Sequence, residues 1–124
     1  MILECYSLLK VIEHRPAMWS GEVTLQSIRS YVSGYYHALI DNNIVQPSNL
    51  VDPFFHWVAE RLGYYESTAG WANMILAHCT GCNPNDINWE EFLATPVTKE
   101  QHLKSVNLFY ELVEQYKSES EVEN

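Results

Sequence analysis

Apolar positions recur every three or four residues through most of the chain. Ile2, Leu3, Tyr6, Leu9 and Ile12 share one face, with Leu8 and Val11 widening it, so the spacing predicts a helix over residues 2–13. Pro16 ends that run, because the residue before a proline avoids the α region. Residues 14–21, HRPAMWSG, predict a loop whose Met18 and Trp19 fill the gap beneath the next helix. Leu25, Ile28, Val32 and Leu39, with Tyr35 or Tyr36, predict that next helix over residues 23–41. Gly34 sits in its middle, where glycine costs about 1 kcal/mol relative to alanine. A glycine kept there predicts a close helix crossing with no Cβ in the way.

Residues 42–51 are polar and turn-forming. Asp52-Pro53 then has the chemistry of an N-cap and a first helical residue, ahead of FFHWVAERL and a stop at Gly63. A fourth helix is expected from Thr68 to Cys79, closed by Gly81. Asp86 is expected to cap a short fifth helix carrying Trp89, Phe92 and Leu93. Thr98-x-x-Gln101 reads as a capping box for a long last helix with Leu103, Val106, Phe109 or Tyr110, Val113 and Tyr116 on one face. The pattern predicts an all-α fold, a compact single-domain bundle of five or six helices over residues 1–117. Residues 118–124, SESEVEN, predict an acidic, frayed tail.

Charge narrows the functional classes. Seven Lys and Arg face sixteen Asp and Glu, for a net charge of −9. That balance argues against nucleic acid and against an anionic membrane surface, since both need a basic face. No run approaches the roughly 18 apolar residues of a membrane span. No basic stretch precedes an apolar core at the N-terminus, so no secretion signal is expected. Three cysteines, Cys5, Cys79 and Cys82, do not make a disulfide framework, and the expected compartment is a reducing cytoplasm.

Catalytic and metal constellations are sparse. Cys79-Thr80-Gly81-Cys82 has the spacing of a zinc or redox pair, but no second pair completes a zinc set. Cys79 is expected at a helix C-terminus, where the dipole disfavours a thiolate. The five histidines fall singly, and no nucleophile elbow or phosphate-binding glycine loop occurs. No metal and no cofactor is expected. His56 and Glu60, spaced i, i+4, together with Tyr64 outline an alternative pocket for a small helical enzyme or ligand-binding protein. Aromatics are dense, and neighbours such as Tyr35-Tyr36 and Tyr64-Tyr65 cannot both face inward, so one of each is expected at the surface. Asp86, Glu90 and Glu91 cluster around Trp89, which suggests an aromatic anchor inside a charged rim.

Between Ile12 and Leu39 the chain reads Arg15-Pro16-x-Met18-Trp19-x-Gly21, then a helix with Gly34-Tyr35-x-x-Ala38. This stretch resembles a group of small uncharacterised bacterial all-helical proteins, some of them like immunity proteins encoded beside polymorphic toxins. The resemblance implies a non-enzymatic protein of the immunity or antitoxin type. It supplies no catalytic residues. Acidity adds the expectation of a basic protein partner, met through Asp86, Trp89, Glu90 and Glu91. A homodimer is left open.

Overall fold

The computed structural model describes residues 1–46, 52–65 and 69–122. Among these it contains seven α-helices and no strand. The expected helix start at Thr68, residues 47–51 of the expected linker and the last two tail residues lie outside the described set.

Helix α1 spans Tyr6–Glu13 and buries Leu9 and Ile12. It starts later than the periodicity predicts. Cys5 and Tyr6 donate to the carbonyls of Ile2 and Leu3, three residues back, which makes a turn before the helical ladder begins. Of the predicted face Ile2, Leu9 and Ile12 are buried, whereas Leu3 and Val11 are exposed, and Cys5, outside that face in the spacing, is buried.

The expected loop after it holds a helix instead. Helix α2, Pro16–Ser20, begins with Pro16 in its first turn and ends at Gly21 with φ 90°. A proline that ends one helix is well suited to open another, because its missing N–H is one that the first turn cannot use. Gly21 closes α2 in the left-handed region, and its N–H donates to the carbonyl of Ala17 at 2.9 Å. This helix takes the count one above the expected five or six.

Helix α3, Leu25–Asp41, starts where Thr24 Oγ1 accepts from the Ser27 N–H at 3.1 Å. Its buried face is Leu25, Ile28 and Val32. Gly34 is exposed, and a Cβ built on it meets nothing within 4 Å. Among the described residues, no helix makes the expected crossing at Gly34. Helix α4, Pro53–Leu62, is capped as expected: Asp52 accepts from the Phe54 N–H at 3.1 Å, and Gly63 stops the helix with φ 82°.

Helix α5, Gly70–Cys79, is the central element, burying Trp71, Ala72, Met74, Ile75, Leu76 and Ala77 and packing against α3, α4 and α7. Helix α6 is short, Trp89–Ala94, and α7 runs from Lys99 to Val122. The capping box at the start of α7 is reciprocal: Thr98 N–H donates to Gln101 Oε1 at 3.0 Å, and Gln101 N–H to Thr98 Oγ1 at 3.1 Å. Leu103, expected inside, is exposed. Val106, Phe109, Tyr110 and Val113 are buried, and Tyr116 packs at the edge of the core.

Helix α7 also continues past Lys117 into the stretch read as a frayed tail. Ser120 Oγ donates to the Tyr116 carbonyl at 2.9 Å. Glu119 accepts from the Trp57 indole and pairs with Arg61 at 3.1 Å, so the last turns lie along α4.

Phe54 centres the aromatic core. Its ring lies 5.3 Å from Trp71, 6.1 Å from Phe109 and 5.2 Å from Tyr116, each near edge-to-face. Trp71 and Phe109 stack at 5.0 Å. Tyr110 closes the opposite side by donating its hydroxyl to the Leu9 carbonyl at 2.8 Å.

Candidate functional site

The α5–α6 connection and the α6–α7 connection fold around a recess of about 380 Å³. Its position follows from local chemistry. Gly81, with φ 82°, turns the chain out of α5, and the Cys82 N–H returns to the Ala77 carbonyl at 3.0 Å. Asn83 then makes a short turn by accepting from the Asn85 N–H at 3.0 Å. Asn88, and not Asp86, caps α6, accepting from the Glu91 N–H at 3.1 Å. Asp86 is two residues too early to serve as the cap, and it is free to line the recess.

Asp86 and Glu91 stand in the wall of the recess, with Ile87, Phe92 and Val97 supplying apolar surface. Among the described residues, Asp86, Glu90 and Glu91 take part in no ion pair. Glu90 is exposed beside the recess and does not line it. Trp89 is placed differently from expectation. It is half-buried against the core, with its ring 5.6 Å from Tyr64 and 5.6 Å from Phe92. It braces α6 from behind and is not an anchor within the rim. Leu93, the other large apolar residue of α6, is 59% exposed.

No described pocket is lined by all three residues of the alternative site. His56 is exposed on α4. Glu60 lines an open groove of about 770 Å³ with Trp57, Arg61 and Glu119, which neither His56 nor Tyr64 lines. Tyr64 is buried and donates its hydroxyl to the Cys82 carbonyl at 3.0 Å. Burial pushes its pKa up to about 12, so it holds its proton as a structural donor.

Cys79 is the last residue of α5, as expected, and half-buried; burial raises its thiol pKa and keeps it protonated near neutral pH. Cys82 lines the recess, 3.4 Å from Thr80 Oγ1. Among the described residues no group of three His, Cys, Asp or Glu is placed to hold a metal ion. No described helix is long and apolar enough to cross a membrane.

The sequence reading missed the far wall of the recess, formed by Pro96, Val97 and Gln101. Pro96 after a short helix signalled a sharp turn, but nothing in the spacing showed that the turn folds back over α6. The arrangement as a whole is a recess of mixed polar and apolar lining on an all-α scaffold, with two carboxylates in its wall. Comparison with protein families, with curated proteins and with solved structures finds no match for this chain.

Proposed function

We propose that this is a non-enzymatic binding protein of the immunity or antitoxin type, acting in the cytoplasm on a basic protein partner. The observation that carries the reading is the recess beside α6. Asp86 and Glu91 line it in no ion pair among the described residues, beside apolar surface from Ile87, Phe92 and Val97. A lysine or arginine from the partner brings both parts such a recess recognises, an apolar stem and a charged head. The net charge of −9 adds long-range attraction toward a basic surface, which speeds encounter. For the enzyme alternative, Tyr64 gives its hydroxyl to the Cys82 carbonyl and does not line the groove that Glu60 lines.

The test is calorimetric titration with the product of the adjacent reading frame, at low and high salt. Binding is expected to weaken steeply as salt rises, because the Debye length falls from about 10 Å at 0.1 M to about 3 Å at 1 M. Asp86→Lys with Glu91→Lys is expected to abolish binding. Trp89→Phe, which keeps a ring behind the recess, is expected to retain it. Binding untouched by the double charge reversal refutes the assignment to this recess.

A further inference from the structure

The Arg15-Pro16-x-Met18-Trp19 motif is displayed, not buried. Met18 is 71% exposed and Trp19 40%, and α2 buries none of its residues. The expectation that both side chains plug a gap beneath α3 is therefore overturned. A large thioether and an indole side by side on a five-residue helix form an unpartnered apolar face.

Charge says what can cover it. Residues 1–41 hold three cations, Lys10, Arg15 and Arg29, against four acids, Glu4, Glu13, Glu22 and Asp41, within a molecule of net charge −9. Lys10 pairs with Glu13 at 2.8 Å and with Glu114 of α7 at 3.3 Å. The α2 side is thus the region where a second copy of so acidic a chain can approach without strong repulsion. The ends of α2 also carry opposite charges. Among the described residues, Arg15 precedes it, exposed and in no ion pair, and Glu22 follows it, exposed and in no ion pair, its carboxylate accepting a 3.3 Å bond from the Ser27 hydroxyl.

The geometry points to a homodimer in which two α2 helices pack antiparallel across a two-fold axis, Met18 and Trp19 at the centre and Arg15 of each copy against Glu22 of the other. A two-fold interface requires a self-complementary surface, in which residue i meets j and j meets i. A helix positive at one end and negative at the other satisfies that requirement only when its partner runs the opposite way. The patch is small, so the dimer is weak and concentration-dependent. This surface is separate from the α6 recess and does not depend on the function proposed for it.

Sedimentation velocity of the full chain over a range from about ten to several hundred micromolar, in which weak interfaces associate, should show reversible doubling of mass. Met18→Ser should shift it toward monomer with an unchanged circular dichroism spectrum. Arg15→Glu and Glu22→Arg singly should each raise the dissociation constant roughly tenfold, since the exposed pair, weak alone, occurs twice per dimer. The combined Arg15→Glu and Glu22→Arg protein should recover wild-type association. A chain that stays monomeric throughout overturns the proposal. Failure of the combined swap to rescue overturns the antiparallel arrangement. Association that survives these changes but is lost on Asp86→Lys with Glu91→Lys overturns it in favour of head-to-tail contact through the recess.

Discussion

Replacing Gly34 by alanine should make this protein more stable. Gly34 lies nine residues into α3, in a helix bounded by Leu25 and Asp41, and it is exposed. Its φ is not in the left-handed region, and a Cβ there meets nothing within 4 Å. The substitution therefore adds no clash and removes no special conformation. What remains is intrinsic propensity, about 1 kcal/mol in favour of alanine within a helix. Part of that gain arises in the unfolded chain, which loses glycine's extra backbone freedom. With an unfolding entropy near 2.1 cal/mol/K per residue, a gain of about 1 kcal/mol corresponds to a rise in Tm of about 4 °C for a chain of this length. Thermal melts followed by circular dichroism at 222 nm, with urea titrations beside them, measure both quantities. Gly34→Leu should also be tolerated, because leucine is nearly as good a helix former and the space is open. If both variants melt below wild type, with leucine the worse, then another helix does approach this position and the placement of α3 argued here is wrong.

Four other outcomes follow from the packing. Phe54→Ala should cost about 3–5 kcal/mol, as for large core aromatics, because Phe54 is fully buried among Trp57, Trp71, Phe109 and Tyr116; chemical denaturation measures it. Tyr110→Phe should cost about 1 kcal/mol for the lost hydroxyl bond to the Leu9 carbonyl, with little change in the m-value. Burial raises the pKa of Cys5 to about 11, that of Tyr64 to about 12 and that of Tyr110 further still, so the folded state holds these protons more tightly than the unfolded chain. Their contribution is whole below pH 9 and falls as pH rises through the shifted values; phenolate absorbance at 295 nm should show a late class that appears together with loss of helicity. Truncation after Lys117 removes the Glu119 contacts to Trp57 and Arg61, and should lower stability by about 1 kcal/mol, the scale of exposed pairs and single hydrogen bonds, without changing the fold by circular dichroism.

The elements most legible in the sequence are those whose signals are local and redundant. The α4 start was readable because Asp52 and Pro53 each favour the same backbone at adjacent positions, and the α7 start because Thr98 and Gln101 cap each other. Helix α2 was hidden because Pro16 carries two meanings, ending α1 and opening the next helix, and five residues are too few to show a period. Gly34 misled for a related reason. A mid-helix glycine is compatible with a tight crossing or with open solvent, and only the neighbouring elements distinguish the two. The extension of α7 past Lys117 was invisible because its partners, Trp57 and Arg61, lie some sixty residues earlier in the chain.

The candidate site divides along the same line. That acids gather near α6 is a statement about sequence neighbours; Asp86 and Glu91 line one recess, and Glu90 does not. Which way Trp89 faces depends on Tyr64, twenty-five positions away, whose hydroxyl is held by the Cys82 carbonyl and whose ring meets the indole at 5.6 Å. Gly63 ends α4 and turns the chain so that Tyr64 is buried while Tyr65 remains exposed. Tyr64 thereby ties the end of α4 to the loop that leaves α5, and α6 leans on both through Trp89. The acidic wall stands on that tie. Tyr64→Phe keeps the ring behind Trp89 and removes only the bond to the Cys82 carbonyl. A recess that serves a partner should then tolerate Tyr64→Phe far better than Tyr64→Ala, which removes the support of Trp89 along with the hydroxyl.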